Sequence, residues 1–215
     1  MGKADYCPLF LMLIINNQNN PKILVIWLHG LGANSSDFKD FIKLLEMNEV
    51  EFILPDAPLI PITLNQGLKM PGWYDIKSLE FEEHDINGLN KTMKKVEKIV
   101  TGRLKKMNRK IKVCLIGFSQ GAAASLFFIL NSHVKIDGVI SLSGYIPYKK
   151  NRVVNPKIPM LALHGLHDDI INLDHAKESF NNYLDKENFK LITFNMGHEV
   201  IFEQLQHVKK FLKRI

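Results

Sequence analysis

The strongest constraint on the fold is a repeated alternation. Continuous apolar runs recur along the chain, among them "KILVIWL", "VEFILP", "KVCLIGF", "GVISLS" and "PMLALHG", and most are separated by segments with helical spacing. A strand with one wet face alternates apolar and polar residues. A strand covered on both faces reads as an unbroken apolar run. "LFLMLII" and "KLITF" are further strand candidates. The helix candidates are "SDFKDFIKLLE", "INGLNKTMKKVEKIVTGRLKKM", "GAAASLFFILNS", "LDHAKESFNNYLDKE" and "VIFEQLQHVKKFLKR". This order predicts an α/β domain with a mostly parallel central sheet and helices on both faces. At 215 residues the chain is expected to form one domain, residues 1–215. The polar stretch "NNQNNP" between the first two strand candidates predicts an N-terminal strand–turn–strand unit, a hairpin over about 8–28. Residues from about 55 to 80 show no clear period. A loop of that length inside a compact domain is more often functional than idle.

Composition removes several function classes. The formal charge is +6, with the basic residues grouped in "KKVEK", "RLKKMNRKIK", "YKKNR" and "VKKFLKRI". On amphipathic helices such groups are ordinarily the solvated face. They leave weak association with anionic membrane surfaces open, as is the pairing of two copies. No aromatic-and-basic RNA motif or recognition-helix signature points to nucleic acid. Cys7 and Cys114 match no metal or CxxC spacing, so neither a disulfide framework nor a metal site is expected, and a cytoplasmic setting follows. The apolar N-terminal run is too short to span a bilayer, and it lacks the basic flank and cleavage site of a secretory signal.

The pentapeptide "GFSQG", residues 117–121, sits where a strand becomes a helix. It has the form of a nucleophile elbow. In such an elbow the serine is held on a tight, strained turn so that its hydroxyl projects beyond the sheet. The flanking positions must be small because helix and strand approach closely there, and Gly117, Gly121, Ala122 and Ala123 meet that need. A helix N-terminus also aims backbone N–H groups at the place where negative charge develops. The pentapeptide read alone fits an ordinary glycine-rich connection; the strand before it and the helix after it favour Ser119 as a nucleophile.

A serine nucleophile needs a base, and the base needs an orienting acid, in the chain order Ser, Asp or Glu, His. Downstream of Ser119 the strand "PMLALHG" runs into "LHDD", which puts Asp168 or Asp169 at its carboxyl end. "KLITF" is followed by "NMGHEV", so His198 lies in a strand-to-helix loop. His175 begins a helix just after the acid, His207 lies within the last helix, and His164 and His167 precede the acid. The oxyanion hole needs two N–H donors. Gln120, next to the nucleophile, supplies one, and Leu31 in "HGLGANSSDF" is placed to supply the other. The same loop also reads as a plain connection in which Ser35 or Ser36 caps the next helix.

Taken together, "VIWLHGLGA", "FILPDAP", "PITLNQGLKMPGWYDI", "GFSQGA", "SLSGY", "HGLHD" and "GHEV" cover the chain from about residue 23 to its end. In this order they resemble the acyl-protein thioesterase and carboxylesterase family, the phospholipase/carboxylesterase group of α/β-hydrolases. The resemblance implies an α/β-hydrolase fold and Ser119, Asp168 and His198 as nucleophile, acid and base. It implies Leu31 and Gln120 as oxyanion donors and no metal or organic cofactor. The substrate it implies is a carboxylic ester or thioester: a small molecule, a lipid or an S-acylated protein. Short-chain carboxylesterase and lysophospholipase are alternatives within the fold, and a catalytically inert binding protein is one outside catalysis. Two positions depart from the family pattern: Asp169 replaces a proline, and "MPGWYDI" lacks a basic side chain before the tryptophan. Leu64, Leu68, Met70 and Trp73 of the long loop are read either as an acyl-binding wall or as cover for the core.

Overall fold

The computed structural model describes residues 12–16, 20–80, 83–107, 110–147, 157–181 and 187–215. Seven strands form the main sheet: β1 (Met12–Ile15), β2 (Ile23–Leu28), β3 (Val50–Pro55), β6 (Lys112–Phe118), β7 (Gly138–Leu142), β8 (Met160–Gly165) and β9 (Phe189–Phe194). Their order across the sheet is β1-β3-β2-β6-β7-β8-β9. Every pairing is parallel except that of β1 with β3. Strands β2, β3, β7 and β8 are buried at every position. This is the burial that their unbroken apolar runs require. The edge strand β9 is only partly buried and carries Lys190 and Thr193 exposed.

Helices cover both faces. On one side α2 (Ile86–Met107), α3 (Gln120–Asn131) and α4 (Leu173–Asn181) pack over a core that includes Leu24, Leu115, Val139 and Phe180. On the other, α1 (Lys39–Leu44) and α5 (Leu205–Arg214) cover Val25, Ile116, Leu142 and Leu161. Helix α3 is buried from Gln120 to Leu130. Truncating one of its large side chains, such as Leu126 or Phe128, removes apolar contacts on all sides, at a typical cost of about 2–5 kcal/mol. Away from the strand ends, Glu51 on β3 is fully buried and is paired with Arg103 of α2. The guanidinium fork satisfies both carboxylate oxygens.

Three local expectations are corrected. The N-terminal hairpin does not form, because β1 pairs antiparallel with β3, and β3 lies between β1 and β2. Residues 8–11 and 17–19 of that expected unit fall outside the described residues. The segment 55–80 is not structureless: β4 (Leu59–Ile62) and β5 (Leu68–Pro71) form a two-stranded antiparallel ribbon. A proline in each strand and a turn through left-handed Gln66 and Gly67 hide it from pattern reading. Helix α1 is shorter than "SDFKDFIKLLE" suggests, and neither Ser35 nor Ser36 caps it. Asn34 and Asp37 bind nearby backbone N–H groups and hold the chain in turns until Phe38.

Candidate active site

The carboxyl ends of the parallel strands gather the candidate residues. Ser119 follows β6 and sits immediately before α3, with φ 54° and ψ −118°. For a side-chain-bearing residue this is a strained backbone. The strain survives because its surroundings leave no other path. A Cβ on Gly117 would lie 2.2 Å from the Gly121 carbonyl oxygen, and one on Gly121 would lie 2.3 Å from that of Leu28. Helix and strand therefore meet backbone to backbone, and the serine is pushed out over the sheet.

His198 lies after β9 and bridges two strand ends. Its Nε2 is 2.8 Å from Ser119 Oγ. Its Nδ1 is 2.8 Å from Asp168 Oδ2. A carboxylate only accepts, so Nδ1–H is the donor to Asp168, and Nε2 is left to accept the serine proton. The Phe118 ring packs 5.0 Å from the imidazole and helps fix its plane. Asp168 is 5% exposed, and its Oδ1 accepts the Ile170 and Ile171 N–H groups at 3.1 and 2.8 Å. Burial pushes this carboxyl up. The His198 and Ile171 hydrogen bonds and the charges of His198 and His164 outweigh that and hold it below the usual carboxylate value. Asp169, the other candidate, is exposed and turned to solvent.

The cavity over Ser119 has a volume of about 240 Å³. Leu31, Gln120 and His198 line it, as does Leu64. The other three candidate wall residues do not. Leu68 is exposed at the ribbon tip, Met70 lies outside the lining, and Trp73 is buried behind it. The apolar wall is made instead by Ile76, Leu79, Ile170 and Ile171, with Tyr74 and Tyr145 beneath. The two tyrosine hydroxyls are 3.1 Å apart. Burial raises the pKa of both phenols, so both remain protonated at neutral pH.

Several supporting roles were not read from the sequence. The Gln120 side chain accepts the Trp73 N–H at 2.9 Å and donates to the Tyr74 carbonyl at 2.7 Å. It thereby ties the 55–80 segment to the elbow. Trp73 Nε1 donates to the His29 carbonyl at 2.7 Å, so this indole is a strut beneath the Leu31 loop. The Gly32 N–H, donating to Pro71 at 2.8 Å, joins the same two segments. His29 Nε2 accepts the Ala57 N–H, so Nδ1 carries the proton and donates to the Gly30 carbonyl at 2.7 Å. Burial lowers its pKa and keeps the ring neutral. His164 Nε2 donates to the Ile171 carbonyl at 2.8 Å and lies 3.4 Å from Asp168, steadying the acid's loop. The sequence placed these residues in the right motifs, but hydrogen-bond partners far apart in the chain leave no local pattern. Among the described residues no cluster of three or more His, Cys, Asp or Glu side chains is arranged to hold a metal ion.

Known proteins with the same architecture carry the identification further. Residues 11–215 match the phospholipase/carboxylesterase family. An acyl-protein thioesterase 1 from Candida albicans is 33% identical over 218 residues, covering 93% of this chain and 94% of the relative. An acyl-protein thioesterase 1 homolog from Dictyostelium discoideum is 32% identical over 201 residues, covering 88% and 89%. The crystal structure of Zea mays acyl-protein thioesterase 2 superposes with a TM-score of 0.83 at 25% identity, over 94% of this chain and 97% of that one. With this agreement in sequence and architecture, the chain belongs to the phospholipase/carboxylesterase family of α/β-hydrolases, a family of serine hydrolases.

Proposed function

We propose that the protein hydrolyses carboxylic esters and thioesters through Ser119, His198 and Asp168, with S-acylated proteins or acyl lipids as its substrate class. The observation that carries this reading is the continuous chain of contacts from Ser119 Oγ through the imidazole to Asp168, each 2.8 Å long, on a strained elbow. The thioesterase names of the relatives support the sulfur ester as substrate.

The steps follow from the proton positions. Ser119 Oγ attacks the acyl carbon while its proton passes to His198 Nε2. Asp168 holds the tautomer and stabilises the imidazolium that forms. The carbonyl oxygen becomes an oxyanion held by the Leu31 and Gln120 N–H groups. Losing one such donor typically costs on the order of 100-fold or more. Collapse of the adduct breaks the bond to the leaving group. An alcohol departs with the proton from His198; a thiol can leave as the thiolate and takes up the same proton afterwards, which returns the imidazole to its neutral form. Water then attacks the acyl-enzyme, giving its proton to His198, and the free acid and Ser119 are released. The cavity of about 240 Å³ with its Ile76, Leu79, Ile170 and Ile171 wall suits an apolar acyl chain.

The test is hydrolysis of p-nitrophenyl esters and acyl thioesters from two to sixteen carbons, with Ser119→Ala as control. Turnover of medium or long thioesters that vanishes in the control supports the proposal. Activity confined to acetate and butyrate esters makes it a small-molecule carboxylesterase. Folded protein that hydrolyses none of the series and resists a fluorophosphonate probe overturns the catalytic reading.

A further inference from the structure

A second cavity lies at the opposite end of the strands. It has a volume of about 310 Å³ and sits between α5 and the starts of β8 and β9. Asp168 and His198 follow the far ends of these same two strands. The groove is thus a strand length away, six residues at roughly 3.3 Å each.

Periodicity explains its lining. On β9, Lys190 and Ile192 are two residues apart and face the same side of the sheet, the side covered by α5. On α5, His207, Lys210, Phe211 and Arg214 are spaced i, i+3, i+4 and i+7, which puts them on one helix face. Leu161, Ile192, Phe211 and Ile215 make an apolar floor and wall. Lys190, Lys210 and Arg214 stand exposed around it.

Among the lining side chains the cations outnumber the anions. Among the described residues none of these three cations makes an ion pair, and Glu187 is the only acidic side chain in the lining. The effect is felt by a neighbour: the His207 imidazole is held below its ordinary value by burial first, then by Lys190 and Lys210.

We propose that this groove, with Leu161, Ile192, Phe211 and Ile215 under a rim of Lys190, Lys210 and Arg214, is a binding site for a single-chain carboxylate amphiphile of the fatty-acid type. The apolar floor takes the chain, and the cations take the head. Its volume lies at the lower end of the range of about 300–1,000 Å³ for small-molecule sites, which fits one medium chain. A neutral lipid would leave the cations unanswered, and a hydrophilic anion would leave the floor wet. The site goes beyond the proposed hydrolysis, since a chain held there cannot reach Ser119.

The experiment is calorimetric titration with decanoate below its micelle concentration. It uses protein whose Ser119 carries an alkyl fluorophosphonate, so that the catalytic cavity is filled. One equivalent is expected to bind. Lys210→Glu with Arg214→Glu is expected to weaken binding by about tenfold or more, as loss of two charge contacts implies. Unlabelled protein with these changes should hydrolyse short esters at an unaltered rate. If charge reversal unfolds the chain, Lys210→Met with Arg214→Met preserves the apolar stems and is expected to weaken binding in the same direction. The proposal is overturned if decanoate does not bind the labelled protein. It is overturned equally if decanol binds as tightly as decanoate, or if the folded variants bind like the parent.

Discussion

Residues 117–124 and residues 55–80 both reach the cavity over Ser119, yet they are held in different ways. The elbow is wedged between β6, β2 and α3, with backbone against backbone at Gly117 and Gly121. Beyond Pro55, which ends β3, the 55–80 segment lies outside the main sheet and pairs within its own ribbon and, through Ile76, with His84. Long-range hydrogen bonds fasten it, among them those of Gln120, Trp73, Gly32, His29, Ser35 with Asp56, and Thr92 with the Trp73 carbonyl. Packing fixes the first region against any alternative. The second is seated by the buried side chains of Ile62, Trp73 and Tyr74 and by polar cross-links, while Leu59 and Leu68 of its ribbon are left to solvent.

The contrast gives an ordered set of expectations. Ser119→Ala should lower kcat by about a millionfold while leaving thermal stability near that of the parent. Stopped or overnight ester assays, with a melting curve, check both halves. Asp168→Asn should cost about ten-thousandfold, because an amide in place of the carboxylate favours the wrong imidazole tautomer. The loss should persist in protein whose circular dichroism is unchanged.

Gln120→Ala attacks the link between the regions. It orphans the buried Trp73 N–H and Tyr74 carbonyl, for a loss of about 1–3 kcal/mol in urea unfolding. Limited proteolysis should cut between residues 55 and 80 sooner than in the parent. An unchanged cleavage rate would mean that the other cross-links suffice.

A smaller effect comes from His84, which forms a bridge with Ile76 at the base of the 55–80 segment. Burial first, then the charge of His175, lowers its pKa from 6.5 to about 4. The unfolded chain therefore takes up a proton at this ring between those values, and the folded chain does not. Folding stability should fall as pH drops from 6.5 to about 4, with no further loss from this ring below that. Melting temperature against pH should slope less in His84→Gln. The smallest change expected is from Leu68→Ser at the exposed ribbon tip, within about 0.5 kcal/mol and with hydrolysis unchanged for both short and long chains. A selective loss on long chains would return Leu68 to the acyl wall.

The same division governs what could be read in advance. Helix α2 falls on Ile86–Met107, the limits its periodicity gives, and the buried strands stand where the apolar runs are. These signals are local and repeated. The elbow was legible for a related reason: its small residues answer a close approach that leaves little choice. The ribbon β4–β5 was not legible, since prolines mask its short strands. The partner of β1 could not be read either, because strand pairing across the sheet is settled by packing far along the chain. The lining of the cavity failed for Leu68, Met70 and Trp73 because no local pattern tells that Leu68 and Met70, which share one face of β5, lie away from the cavity, or that Trp73, beyond the ribbon, is buried.

The placement of Leu31, Ser119, Asp168 and His198 at the ends of separate strands has a consequence for synthesis. The ribosome releases these residues in order, and the imidazole arrives last, on the loop after the edge strand β9. Until that strand docks against β8, the serine hydroxyl lacks the imidazole that stands 2.8 Å from it in the finished fold, however well formed the elbow already is. On the proposed mechanism, a nascent chain in which β9 has not yet docked is therefore without esterase activity. Appearance of turnover in a coupled translation reaction would time the docking of β9 and serve as a clock for the completed sheet.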